Sequence, residues 1–383
     1  MQKALFHLAK WLVGLLFIFS GLIKLNDPLG FGYKLQEYFE VFHISFLNGW
    51  ATGIGMLLCI LEIVFGALLL LGIFKNFTLK GLLATIVFFT FLTFVSAFFK
   101  VVTSCGCFGD AIPLTPWQSF SKDVVLLALI IYVYIKREWI EPVTNNTGIQ
   151  SALFATIFTA SLMFGSITYN YAPFIDFLPY KVGASIPENM KIPEGAPVDE
   201  YLIMYDLKNK KTNETKSMSD KEYMAQEIWK DEDWEVTGSP SRKLIKKGYD
   251  VKIKDLMITD ASGTDYTKEI IENPYYNLVV VAYNLKDTDE KAMGEINALA
   301  LNATEQFNIR TVLLTSSAAQ DANVFEKRMK LFMEVFYADA VPLKSMVRAN
   351  PGVMLLKNGV VVNKWHHNSL PSFNELTEEY LAK

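Results

Sequence analysis

The chain has 383 residues, 51% hydrophobic and 20% charged, with a formal net charge of -4. A positive mean hydropathy with so few charges excludes a disordered chain and an ordinary soluble enzyme, and the charge balance gives no basis for nucleic-acid binding. The charge is unevenly spread: about 10 Lys+Arg and about 8 Asp+Glu up to Tyr171, against about 26 and about 32 beyond it. This split reads as a membrane domain followed by a soluble one. All three cysteines (Cys59, Cys105, Cys107) lie in the first half, so a disulfide-stapled secreted fold is excluded.

A bilayer-crossing helix needs about 20 apolar residues. Five segments approach that length: Ala4–Ile23, Ala51–Ile73, Leu79–Phe99, Ser119–Ile135 and Ser151–Tyr171. Gly21-Leu22-Ile23-Lys24 is a poor cleavage site, so the first is expected as a retained span rather than a signal peptide. The fourth has a marked start, with Thr115 suited to the N-cap, Pro116 to the first helical position and Trp117 to the interface. Lys and Arg in the short loops favour a cytoplasmic N-terminus by about six to four. Five spans then put the second half on the periplasmic or extracytoplasmic side of the inner membrane, together with Cys105 and Cys107, where disulfides persist. Between the first two spans, Phe31, Leu35, Tyr38, Phe39 and Phe42 mark one face of a short helix. Two readings stand for it: a helix lying on the membrane, or a lid packed on the bundle.

The strongest local signal is Cys105-Gly106-Cys107-Phe108-Gly109-Asp110, just outside the third span. Two cysteines flanking one glycine can close a small strained disulfide, which suits exchange. An inert thiol pair and half of a metal site are the alternatives. The metal reading lacks further ligands, His43 being the nearby histidine, and no metal is expected. Glu62 falls near the middle of the second span, where a charge is costly. It shares a helical stripe with Gly55, Cys59 and Gly66, which should face other helices. Lys24 is its expected partner. Glu62 is expected as a proton relay or as a polar handle, with Lys24, on a quinone, the one cofactor considered; the alternative is a paired residue that fixes packing. Cys59 is either a third, resolving thiol or a small buried apolar residue.

These residues resemble a known family. Ser20-Gly21-Leu22-Ile23-Lys24-Leu25-Asn26-Asp27-Pro28 looks like the DoxX-type signature, and Glu62 with Gly66, Leu69, Leu70, Leu71 and Gly72 is similar to that family's second span. Cys105-Gly106-Cys107-Phe108-Gly109, with Trp117, Gln118, Lys122 and Asp123 behind it, resembles the MauE branch. The resemblance covers roughly 4–136 and implies a four-span, thiol-redox-associated membrane protein. MauE-like proteins are linked to methylamine utilisation and disulfide formation in a periplasmic partner, DoxX-like proteins to quinone-coupled sulfur oxidation. The fifth span and the long second half exceed that core.

In the second half, prolines from Pro173 to Pro197 mark an extended linker. Tyr201–Leu207 reads as a strand, Lys208–Thr215 as a polar turn with a return strand after it, and Asp220–Trp229 as a helix. Trp229 and Trp234 are expected in a core or on the linker. Lys252–Thr259 reads as a strand and Asp265–Ile271 as a short helix. Asn277–Tyr283 and Thr311–Thr315 read as buried strands, Thr288–Phe307 and Ala322–Phe336 as helices. Gly352–Leu356 and Val360–Lys364 form a hairpin across Asn358-Gly359, and Glu375–Leu381 closes the chain as a helix. His366 and His367, adjacent on or just after a strand, should diverge and so not easily chelate one ion.

This order is α/β with a mixed sheet. Over roughly 250–383 it resembles the thioredoxin-like fold of the TlpA and peroxiredoxin type, with Pro351 in the place of that fold's cis-proline. Where the family's Cys-x-x-Cys should lie, the chain has Asn284-Leu285-Lys286-Asp287-Thr288-Asp289-Glu290, so the domain is expected to be redox-inactive alone. The expected organisation is a four-span DoxX/MauE-like bundle (1–143), a fifth span (144–172), a linker with a small hairpin and helix (173–249) and a thioredoxin-like domain (250–383). The leading functional expectation is thiol–disulfide metabolism of the cell envelope, with Cys105 and Cys107 as the redox pair and the soluble domain positioning a client protein that bears thiols. A non-catalytic membrane anchor or assembly protein, or a quinone-binding subunit of a larger oxidoreductase, is the alternative, and a larger membrane complex is considered as a partner.

Overall fold

The structure is a computed structural model, and it describes residues 2–102, 106–246 and 248–381. Five of the described helices are long and apolar enough to cross a membrane: Gln2–Asn26, Ser45–Leu71, Lys75–Phe99, Pro116–Ile135 and Thr147–Asn170. The chain forms two compact units, Met1–Gly183 with Met257–Lys383, and Ala184–Leu256.

The bundle consists of α1 (Gln2–Asn26), α2 (Pro28–Val41), α3 (Ala51–Leu71), α4 (Lys75–Phe99), α5 (Pro116–Ile135) and α6 (Thr147–Asn170). Small residues set its central seam, as membrane helices pack by close backbone approach. A Cβ on Gly21 of α1 would stand 2.7 Å from the Cys59 carbonyl, and one on Gly66 of α3 would stand 2.7 Å from the Gly14 carbonyl. Gly55, Cys59, Glu62 and Gly66 are all buried, as their shared stripe predicts. The start of α5 matches its sequence signal: Thr115 and Gln118 form a capping box with Pro116 at the first position.

For α2 the structure chooses the lid. Phe31, Leu35 and Tyr38 are buried in the same core as α3 and α4, and the Tyr38 hydroxyl lies 2.7 Å from Ser96 Oγ of α4. Asp27 N-caps the helix, accepting from Gly30 N at 2.9 Å, with Pro28 in the first turn.

Unit Ala184–Leu256 holds α7 (Ile186–Asn189), β1 (Glu200–Asn209), β2 (Thr215–Ser219), α8 (Asp220–Ala225), β3 (Trp234–Val236) and β4 (Ser241–Lys246). β1 pairs antiparallel with β2, β3 and β4. The sequence reading lacked β3 and β4 and ran the helix on to Trp229, whereas α8 ends at Ala225. Trp229 is exposed rather than packed in a core. Trp234 is half-buried on β3, with Lys216 Nζ 4.2 Å from its ring centroid.

The α/β region of the larger unit contains α9 (Thr267–Ile271), β5 (Tyr276–Val281), α10 (Glu290–Phe307), β6 (Arg310–Thr315), α11 (Ala319–Met329), β7 (Glu334–Tyr337), α12 (Ala340–Met346), β8 (Gly352–Lys357), β9 (Val360–His366) and α13 (Phe373–Leu376). The sheet order is β7-β6-β5-β8-β9, with β5, β6 and β7 parallel and β8 and β9 antiparallel. Leu278–Val281 of β5 are fully buried, as a central strand covered on both faces requires. Asp289 caps α10 through Ala292 N at 3.0 Å, and Asn350–Pro351 is cis.

Two readings need correction here. Ala322–Phe336 is not one helix: Lys330 takes φ +50° and ends α11, and Glu334–Tyr337 pairs with β6 as an edge strand. Lys252–Thr259 is not a regular strand; its end makes isolated bridges from Thr259 to Asp265 and Tyr337.

Candidate functional site

Close packing of α1 on α3 brings the last turns of α1 against the acidic position of α3. Lys24 Nζ lies 2.7 Å from Glu62, and both side chains are at most 5% exposed. Lys24 also sits 4.3 Å from the Phe89 ring centroid. A charge in such surroundings persists only when paired and hydrogen-bonded. One turn before Lys24, Ser20 Oγ donates to the Cys107 carbonyl at 3.0 Å and lies 3.4 Å from Glu62 Oε2. The loop after α4 is thereby tied to the ion pair.

A second ion pair closes the other side. Lys122 Nζ of α5 meets Asp123 Oδ1 at 2.7 Å, and Thr93 of α4 donates to Asp123 Oδ2 at 3.0 Å. Lys122 Nζ stands 5.0 Å from the Phe108 ring centroid. Cys107, Lys24, Glu62, Lys122 and Asp123 line one pocket of about 20 Å³. Cys107 is buried at 8% exposure. Its expected partner Cys105 lies outside the described residues. Cys59 is fully buried in the α1–α3 seam.

Glu62 and Lys24 line the small pocket together. A pocket of about 20 Å³ has room for about one water, whereas small-molecule pockets start near ~300 Å³. Glu62 and Lys24 also spend their charges on each other. Lys24 also lines a larger cavity of about 380 Å³, within the size range of small-molecule pockets.

This cavity opens on the outer side of Lys24, between the bundle and the α/β region. Asp27, Gly106, Gly109, Asp110, Lys344 and Arg348 contribute to its wall. Arg348 Nε donates to Asp27 Oδ2 at 2.8 Å, and Nη2 lies 3.2 Å from Asp110 Oδ2. Burial alone would depress the Arg348 pKa, but the carboxylates of Asp27 and Asp110 outweigh it and hold it above the usual value. Burial pushes the Asp110 carboxyl up, against the pull of Arg348. Tyr33 of α2 donates to the Tyr283 hydroxyl at 3.0 Å; burial, then Tyr283 beside it, pushes the Tyr33 phenol far up.

Sequence reasoning found Lys24, Glu62 and Cys107. It quoted Ser20, Lys122 and Asp123 without giving them a role, and Arg348 carried no local signal. The histidine pair needs correction: the His366 and His367 rings touch, with centroids 4.1 Å apart. His367 begins a short 3-10 turn, so the alternation of a strand does not separate them. His367 Nδ1 donates to the Pro351 carbonyl at 2.9 Å and His366 Nδ1 accepts from Asn368 N at 3.1 Å. Among the described residues no cluster of three metal-ligating side chains occurs.

Comparison with known proteins agrees with the membrane part. Residues 2–136 match the family model described as methylamine utilisation protein MauE. The chain is also similar to Protein TlpB of Flavobacterium psychrophilum, 25% identical over 159 residues. That match covers 40% of this chain and 42% of the relative, so it spans well under half of either. No solved structure matches. The five apolar helices and the MauE match describe an integral membrane protein with a MauE-like N-terminal part and a soluble α/β-containing part.

Proposed function

We propose that this membrane protein works in thiol–disulfide metabolism of the cell envelope, with Cys105 and Cys107 as the exchanging pair. The observation that carries the reading is the placement of Cys107: its loop is anchored by Ser20 beside the buried Lys24–Glu62 pair and the partly buried Lys122–Asp123 pair. Cations beside a cysteine favour its thiolate, the form that exchanges.

In the proposed reaction, a thiolate of a client dithiol attacks one sulfur of the Cys105–Cys107 disulfide. That S–S bond breaks, and the other sulfur leaves as a thiolate and takes a proton. The client's second thiolate then attacks the mixed disulfide. The client departs with a disulfide, and the chain holds two thiols and two more electrons. Exchange with a disulfide-bearing partner runs the same steps in reverse and restores the pair. Glu62, with Lys24, is the proton relay on the inner wall of the pocket. Cys59 stays outside the exchange.

The sheet order β7-β6-β5-β8-β9, with cis Pro351 before β8, supports a thioredoxin-like fold for the α/β region. The stretch from Asn284 then stands where a Cys-x-x-Cys would lie, and the region's part is to position a partner. Five candidate spans would put the N-terminus and the α/β region on opposite sides of the membrane, and the Lys and Arg bias of the short loops supports a cytoplasmic N-terminus with a periplasmic α/β region.

The test is the redox state of Cys105 and Cys107 in intact cells, read by acid quench and a mass-tagged maleimide before and after a brief reductant pulse. A disulfide that is reduced and reforms within minutes supports exchange, and the Cys105→Ser/Cys107→Ser variant should then accumulate reduced clients. Cysteines that stay free, or a disulfide that never changes, would leave a non-catalytic anchoring role, which the absence of cysteine from the second half favours.

A further inference from the structure

We infer that Arg348, in the cysteine-free α/β region, is a positioning residue for the Gly106–Asp110 turn that carries Cys107, which it holds through Asp110. The inference gives the α/β region a part in the site itself, and its purpose rests on the reading proposed above; the positioning does not.

The geometry is that of a three-way clamp. Nε donates to Asp27 Oδ2 at 2.8 Å, Nη1 to the Lys344 carbonyl at 2.6 Å, and Nη2 reaches Asp110 Oδ2 at 3.2 Å. The side chain is 8% exposed. Asp27 is itself fixed, because its other oxygen caps α2. The guanidinium therefore ties the cap of α2 to the last residue of the Cys-Gly-Cys-Phe-Gly-Asp run. A planar fork with several donors suits two carboxylates at once; a single ammonium does not.

Asp110 is mechanically close to the cysteines. Gly109 N donates back to the Gly106 carbonyl at 3.0 Å, and both glycines have positive φ, +64° at Gly106 and +53° at Gly109. The turn is tight, so a shift at Asp110 carries to Cys107 three residues earlier. The loop thus has two anchors, Ser20 at the Cys107 carbonyl and Arg348 at Asp110. Without the guanidinium, Asp27 and Asp110 would face each other as like charges in a partly enclosed cavity, and Asp110 would be driven outward.

The experiment uses the full chain in lipid nanodiscs, reduced, in a Cys105→Ser background. The alkylation rate of Cys107 is measured near about pH 9.5, where an ordinary thiol is ionised and the rate reports access. Arg348→Met should speed alkylation at least about tenfold, the loss of a local constraint. Arg348→Lys should fall between Met and the parent. Asp110→Asn, which leaves the α/β region untouched, should also accelerate, and adding it to Arg348→Met should change little further. Arg310→Gln breaks the ion pairs to Glu334 and Glu269 elsewhere in the same region and should leave the parent rate. Parent rates in Arg348→Met or in Asp110→Asn would overturn the inference, as would equal acceleration by Arg310→Gln. If the cysteines prove not to cycle in cells while Arg348→Met still opens the loop, the positioning stands and the exchange function falls.

Discussion

Lys24 Nζ sits 2.7 Å from Glu62 in the interior of the bundle, and neither side chain is more than 5% exposed. The contact joins the last turn of α1 to the middle of α3, and Ser20 passes it on to the Cys107 carbonyl. It serves packing and chemistry at once, and the two roles can be separated. Breaking a buried pair by removing one partner leaves an uncompensated charge and costs about 3–5 kcal/mol, while replacing both by apolar residues is often neutral. Glu62→Gln should therefore shorten the half-life of the purified protein at elevated temperature. The Lys24→Met/Glu62→Leu double variant should recover most of that half-life but not the rate at which the Cys105–Cys107 disulfide reforms after a reductant pulse. A double variant that restores both would reduce the pair to a packing device.

Lys122 faces Cys107 across the small pocket, with its Nζ near the Phe108 ring. A neighbouring cation stabilises a thiolate, so removing it should raise the thiol pKa. In a reduced Cys105→Ser background, Lys122→Met should slow maleimide alkylation of Cys107 at neutral pH about tenfold, which corresponds to about one pKa unit. The rates should converge in alkaline solution, where both thiols are ionised. Rates that already agree at neutral pH would show that Lys122 acts on Asp123 alone.

How much of this was legible in the sequence follows the range of each interaction. The Phe31, Leu35 and Tyr38 face of α2 was visible because a helical period is local, and the Lys24–Glu62 pair because a lone carboxylate in a span demands a cation. Which of the two positions α2 takes, lid or membrane surface, was not, since an apolar face does not name what covers it. Arg348 had no local signal: its partner Asp110 is 238 positions away. Ala322, Phe325, Met329 and Phe336 keep a helical spacing, which hid β7. The break is a left-handed Lys330, a conformation that a lysine does not advertise. The Cys105 half of the central motif lies outside the described residues, so the pair stands on sequence and on its Cys107 half.

Gly21 decides how closely α1 meets α3. Its missing Cβ would stand 2.6 Å from the Ile63 side chain and 2.7 Å from the Cys59 carbonyl, and backbone cannot step aside as a flexible chain end can. Overpacking of this kind costs about 1–3 kcal/mol. Gly21→Ala should lower thermal stability by that order and, by separating the helices, weaken the Lys24–Glu62 contact one turn further on. Adding Glu62→Gln to Gly21→Ala should then cost less than it does in the parent. Full additivity, measured as unfolding in a detergent titration, would mean that the seam and the ion pair are independent.

His366 gives the α/β region a pH dependence whose sign is fixed by its surroundings. Burial, then the neighbouring His367, pushes its pKa down from 6.5 to about 4. The folded protein therefore keeps the ring neutral, with Nδ1 accepting from Asn368 N, while the unfolded chain takes up a proton near its ordinary value. Between about pH 6.5 and about pH 4 the unfolded state binds more protons, so stability is full above that window and falls as the pH drops through it. The loss across the window is of the order of a few kcal/mol at most. Pulse proteolysis of the full chain in urea should show the midpoint for the α/β region falling across this window, and His366→Gln should flatten the fall. Parallel pH profiles for parent and variant would place the titrating group elsewhere.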